Sequence, residues 1–136
     1  YNVDNIVACG AVVPEAVDAS NRLLTEGVYA NVISVTGPGP LYQRFQNTVS
    51  SAIESGRPPE QFMADVIDIS ERSAPIVTVA DGHPHSLAWI GAAMKTLTFP
   101  LGVTNFGQSG TPPELYKDYG IDSETIMSAC FSSLGM

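Results

Sequence analysis

Basic residues are scarce in this chain: six Lys and Arg stand against 14 Asp and Glu in 136 residues, for a net charge of −8. Such a surface repels the phosphate backbone on which nucleic-acid affinity mostly rests, and an anionic membrane for the same reason. Neither nucleic acid nor membrane is expected as a partner. Long apolar runs are missing too. No segment approaches the roughly twenty residues of a membrane span, and the N-terminus has no basic stretch followed by an apolar one, so the expected location is cytoplasmic. Cysteine is limited to Cys9, at the end of an apolar run, and Cys130 in "MSACFSS". Each reads as a small buried hydrophobe rather than half of a disulfide, and their separation fits no metal spacing. The first residue is Tyr1, not Met, which suggests a domain cut from a longer protein. The length suits one domain with one core, and no linker, repeat or low-complexity tract divides it.

What is present is an alternation of strand and helix signals. "NIVACG" reads as a strand buried on both faces, and Pro14 can open a helix in which Ala16, Val17, Leu23 and Leu24 share a face before Gly27 stops it. "YANVISVT" is the second strand, ended by "GPGP". Leu41, Phe45, Val49 and Ile53 then mark an amphipathic helix, broken by "SGRPPE". Phe62, Val66 and Ile69, flanked by Met63 and Ile67, predict a further helix running toward Ser70. "PIVTVA" is the clearest strand. "SLAWIGAAMKTL" follows as a helix, "PLGVTNFG" as a weaker fourth strand, and helices at 114–119 and 124–134 close the chain, the last with a stripe of Ile126, Cys130 and Leu134. Such alternation implies an α/β fold, a parallel sheet with helices on both faces joined by right-handed crossovers.

Ligands and partners of such sheets meet the carboxyl ends of the strands. The unusual residues collect there: Gly10 after the first strand, Gly37 and its "GPGP" after the second, Asp81, His83 and His85 after the third, and Gly107, Gln108, Ser109, Gly110 and Thr111 after the fourth. One such loop needs no explanation beyond turn chemistry. Four at one edge indicate a functional edge. "DGHPHS" could suggest a metal site or a base with its orienter, but Pro84 between the histidines is expected to make the rings diverge, which favours loop bracing or a polar interface. Ser109 in "FGQSGT" could be read as a nucleophile, yet the stretch lacks the G-x-S-x-G spacing of a hydrolase elbow. The prolines of "TGPGP" remove the N–H donors a phosphate cradle needs. Trp89, Tyr116 and Tyr119 read as core and interface rather than as a stacking platform.

"ISVTGPGPLYQRFQ" and "FGQSGTPPELYKDYGID" resemble two signature stretches of the C-terminal domain in the transketolase superfamily, closest to the homodimeric decarboxylating component of 2-oxo acid (pyruvate-type) dehydrogenase complexes. The family's first motif runs V-T-S-P into L-Y-R-x-W; here Gly37 replaces its serine, Gln43 its arginine and Phe45 its tryptophan. Its second motif is matched by Phe106, Gly107, Ser109, Gly110, Thr111, Leu115, Tyr119, Ile121 and Asp122. The resemblance covers essentially the whole chain.

It implies a three-layer αβα domain with a mostly parallel sheet of about five strands, residues 1–136 being one C-terminal domain of a longer enzyme. In that family thiamine diphosphate and magnesium are held by two preceding domains where two subunits meet, and the C-terminal domain supports the dimer and lines the approach to the site. The chain lacks the family's G-D-G with a distal asparagine, "DGH" not being that motif, and an evident glutamate to activate the cofactor. No catalytic, cofactor or metal-ligating residue is therefore expected within it, and the loop from Phe106 to Thr111 is expected to dock on other domains or the second subunit. The parent reaction implied is decarboxylation of a 2-oxo acid, with the lipoyl-bearing acyltransferase component as a further partner. The alternative parent is a transketolase, which moves a two-carbon ketol unit between sugar phosphates. Phosphate recognition favours cations in the loops, and Arg22, Arg44, Arg57, Arg72, Lys95 and Lys117 all lie outside them. A third reading is a stand-alone binding or regulatory module.

Overall fold

The computed structural model describes residues 2–104 and 110–136. β1 (Asn2–Cys9) is followed by α1 (Val13–Thr25), β2 (Val28–Val35) and α2 (Pro38–Ser55). After a long connection come β3 (Ile76–Ala80), the short helices α3 (His85–Ala88) and α4 (Ile90–Met94), β4 (Thr98–Leu101), α5 (Pro112–Tyr119) and α6 (Ser123–Ser133). The strands form one parallel sheet in the order β2-β1-β3-β4. About five strands were expected; the described residues contain four.

Alternation along the central strands sends successive side chains to opposite faces. Ile6, Ala8, Val77 and Val79 pack under α1 and α6 with Ala16, Ala19, Leu23, Ile126 and Cys130. Val7, Ile76 and Ala80 pack on the other face with Phe62, Ile67, Leu87, Ile90 and Met94. Helix, sheet and helix layers result, as expected. Because every residue of β3 is buried, a run that is apolar except for the β-branched Thr78 was its sequence signature.

Three helical expectations need correction. In α1 the buried face is Ala16, Ala19 and Leu23, while Val17 and Leu24 are 44% and 51% exposed. Small alanines allow the helix to sit close to the sheet, so size rather than hydrophobicity set the contact face. The helix expected over Phe62 to Ser70 does not form. Met63 adopts a left-handed φ of 58°, and its carbonyl accepts the N–H groups of both Val66 and Ile67 at 3.1 Å, closing a turn. Arg72 then donates to the carbonyls of Ile67 at 3.1 Å and Ala64 at 2.9 Å. Phe62, Met63 and Ile67 are buried, but Val66 and Ile69 stand 56% and 76% exposed. The expected helix from Ser86 to Leu97 divides at Trp89 into α3 and α4, and Lys95 ends it with a φ of 57°. β4 falls a little before its expected place, at Thr98–Leu101.

Candidate functional site

β1 has β2 on one side and β3 on the other, so the direction of winding reverses between β1 and β3. Brackets of this kind open a crevice at the carboxyl ends of the two strands. Gly10 and Asp81 meet there. Gly10 has a φ of 83°, a conformation that glycine adopts at no steric cost, and a Cβ on it would overlap the Asp81 carboxylate. Asp81 Oδ2 accepts the N–H of Ala11 at 2.9 Å. One carboxylate thus ties the loop after β3 to the loop after β1. Burial, and next the Asp81 charge, push the Cys9 thiol up from its ordinary value, which keeps it protonated and unreactive.

The next loops are braced in the same way. Val103 N–H donates to Gly82 O at 2.8 Å, and a Cβ on Gly102 would lie 2.6 Å from both Gly82 O and Pro84 N. The backbones after β3 and β4 therefore touch directly. His83 Nδ1 accepts the backbone N–H of His85 at 3.2 Å, and Ser86 Oγ donates to His83 O at 2.9 Å. The two imidazoles do not diverge around Pro84 as expected: their centroids are 4.7 Å apart, edge to face. With Nδ1 accepting, the neutral His83 ring carries its proton on Nε2, so it presents a donor rather than a metal ligand. Among the described residues no hydrogen bond joins Asp81 to either histidine, and no group of three or more His, Cys, Asp or Glu side chains could hold a metal ion.

Gly37 caps the start of α2 in an extended conformation. The first turn of α2 faces the third-strand loop across a pocket of about 360 Å³, lined by Pro38, Gly39, Tyr42, His85, Ser86 and Trp89. Thr111 opens α5 through a reciprocal capping box with Glu114, whose carboxylate accepts Thr111 N–H at 3.2 Å. Gly110 precedes that cap, beside Glu114. The T-x-x-E spacing was a readable signal for this cap that the sequence reading passed over. Phe106, Gly107, Gln108 and Ser109 lie outside the described residues.

Two further features were missed. Behind the pocket, Trp89 stacks on Phe45 (centroids 5.5 Å, 21°) and meets Tyr42 at 5.2 Å and Phe62 at 5.5 Å edge-on. Only the Tyr42–Phe45 spacing of three could have announced this cluster; Phe62 and Trp89 join it through tertiary contact. The second is Asp4, fully buried at the amino end of the sheet, away from this edge.

The whole is a doubly wound α/β domain whose switch-point loops are held by backbone contact and by one carboxylate, an edge shaped before any partner arrives. Residues 3–122 match the family model described as the transketolase-like TK C-terminal domain, and the chain belongs to that family. No curated protein matches it by sequence. Among solved structures it is similar to a split-gene transketolase described as an inactive beta4 tetramer, at 20% identity and a TM-score of 0.64, covering 98% of this chain and 39% of that one. It is also similar to a Pichia stipitis transketolase in complex with sedoheptulose-7-phosphate, at 22% identity and a TM-score of 0.65, covering 99% and 17%. A Campylobacter jejuni transketolase matches at 16% identity and a TM-score of 0.55, covering 95% and 16%. At these identities the likeness is one of fold, and the chain spans well under half the length of each.

Proposed function

We propose that residues 1–136 are the non-catalytic C-terminal domain of a thiamine diphosphate-dependent enzyme, supporting its dimer and the approach to its active site through the carboxyl edge of the sheet. The observation that carries this reading is the bracing at the switch point, where Asp81 is committed to the Gly10–Ala11 backbone and Gly82 to Val103. Ala11 N–H and Asp81 Oδ2, spent on each other, are not available to a diphosphate and its magnesium. α2 opens with Pro38 and Pro40, which supply no N–H. The described residues thus do not fit the cofactor, which in this reading belongs to the preceding domains. The loop from Phe106 to Thr111, free of charge like the centre of an interface, is the proposed docking segment.

Two parents are in play. The names of the solved relatives support a transketolase, and the absence of Arg and Lys from the loops supports a 2-oxo acid decarboxylating component. The full-length enzyme tests both. Ketol transfer between sugar phosphates assigns the first; decarboxylation of a 2-oxo acid with transfer to a lipoyl group assigns the second. Replacing Gly107 and Gly110 by valine in that enzyme should weaken the dimer or its turnover, and normal values for both would remove the docking role. The isolated chain should not bind thiamine diphosphate with magnesium in calorimetry; low-micromolar binding would overturn the non-catalytic assignment.

A further inference from the structure

At the amino end of the sheet, opposite the edge described above, Ser133 Oγ lies 2.6 Å from Asp4 Oδ2 and 2.9 Å from the carbonyl oxygen of Cys130. A hydroxyl has one proton to give. Cys130 O also accepts the backbone N–H of Leu134 at 3.1 Å, so Ser133 can give its proton to Asp4 Oδ2. The group left short is the other oxygen of the Asp4 carboxyl, which only a proton of its own relieves. Asp4 is fully buried, and its Oδ1 finds no hydrogen-bond partner among the described residues, so an ionised carboxylate would hold incompletely compensated charge in the core.

The surroundings offset that charge only in part: contacts with Ser133, the Asn5 backbone and Cys130 favour the ionised form, and burial outweighs them. Asp4 pairs with Ala30 on β2. Glu15 and Arg22 of α1 are engaged at the other end of α6, Glu15 accepting Ser123 N–H at 2.9 Å and Arg22 donating to Ser123 Oγ at 3.1 Å. Asp18 and Glu124 gather around that same Arg22. The titratable group acting on Asp4 is the Cys130 thiol of α6, itself pushed up by burial and then by Asp4. We propose that Asp4 and Ser133 form a proton-operated latch that holds the last helix of the domain to its first strand, closed while Asp4 is protonated and loosened when the proton leaves. This holds whichever parent enzyme the domain serves. Burial raises the Asp4 carboxyl from 3.8 to about 7, which places the release near neutral pH.

Hydrogen exchange on the 136-residue chain tests the latch, with intrinsic exchange rates divided out. The protection of α6 amides from Ile126 to Leu134 should fall roughly a hundredfold between pH 5 and pH 8, about tenfold per unit until the Asp4 carboxyl has ionised in the closed state, and level off above. Asp4→Asn keeps a neutral partner for Ser133 and should keep α6 protected across that range. A flat profile in the unaltered chain, the same decline in Asp4→Asn, or α6 amides that open only with global unfolding at every pH would each overturn the proposal. If Asp4→Asn does not fold, carbon-13 NMR of the Asp4 carboxyl in the unaltered chain decides: titration near 7 supports the latch, and titration near 4 refutes it.

Discussion

The Asp81 carboxylate occupies the space that a side chain on Gly10 would need and accepts the next N–H, that of Ala11, at 2.9 Å. Glycine and aspartate are thus one device: the left-handed turn brings the first loop within reach, and the carboxylate fixes it there. Gly10→Ala should destabilise the domain by about 1–3 kcal/mol, combining backbone strain with displacement of Asp81. Asp81→Ala removes the acceptor but not the turn and should cost about 1 kcal/mol. Urea denaturation measures both, and a Gly10→Ala variant as stable as the unaltered chain would show that the two loops are not coupled.

A second prediction concerns Trp89, half-buried against Phe45, Tyr42 and Phe62. Trp89→Ala should cost about 2–4 kcal/mol, less than the upper end for a fully enclosed tryptophan. Tyr42→Ala, at the exposed rim, should cost less than half as much. Equal losses would place the weight of the cluster at its rim.

Why these features were unequally legible follows from what each depends on. β3 was readable because complete burial writes itself as a run of apolar and β-branched residues in "PIVTVA". The α6 stripe was readable because Ile126 and Cys130 recur at helical spacing and are both buried. The segment from Phe62 to Ile69 has a helical period as well, yet Met63 turns left-handed and Arg72 holds two of its carbonyls, contacts that no local pattern encodes. At the candidate edge, Gly10, Asp81 and the histidines were found as types in loops, but that Asp81 answers Gly10 depends on strand order, and that His85 N–H turns back to His83 depends on the local backbone around Pro84. Asp4 was passed over because one acidic residue near a strand start looks like solvated surface until α6 covers it.

Thiol accessibility gives a third test. Cys9 packs on the α2 side of the sheet and Cys130 on the α6 side, so the sheet separates them. Both thiols are free and pushed up by burial. A thiol reagent at pH 8 should react slowly with half-buried Cys9 and more slowly with Cys130, and two thiols should appear on unfolding without reductant. Recovery of none would mean a disulfide and a different packing of β1 and α6.

Global stability should carry the signature of Asp4. Its folded-state value of about 7 lies above the ordinary 3.8, so the folded state holds the proton more tightly than the unfolded chain. The unfolded chain then binds fewer protons in this range, and stability falls as pH rises. The contribution is full below about 4, declines through the window up to about 7, and is gone above it. Three units correspond to about 4 kcal/mol as an upper bound. Other groups titrate as well, so the decisive quantity is the difference between the unaltered chain and Asp4→Asn in urea denaturation at pH 5 and pH 8. Asp4→Asn should gain on the unaltered chain by a few kcal/mol between those two pH values. A difference that stays constant would mean that the carboxyl is ionised throughout and that its burial is offset by contacts other than Ser133.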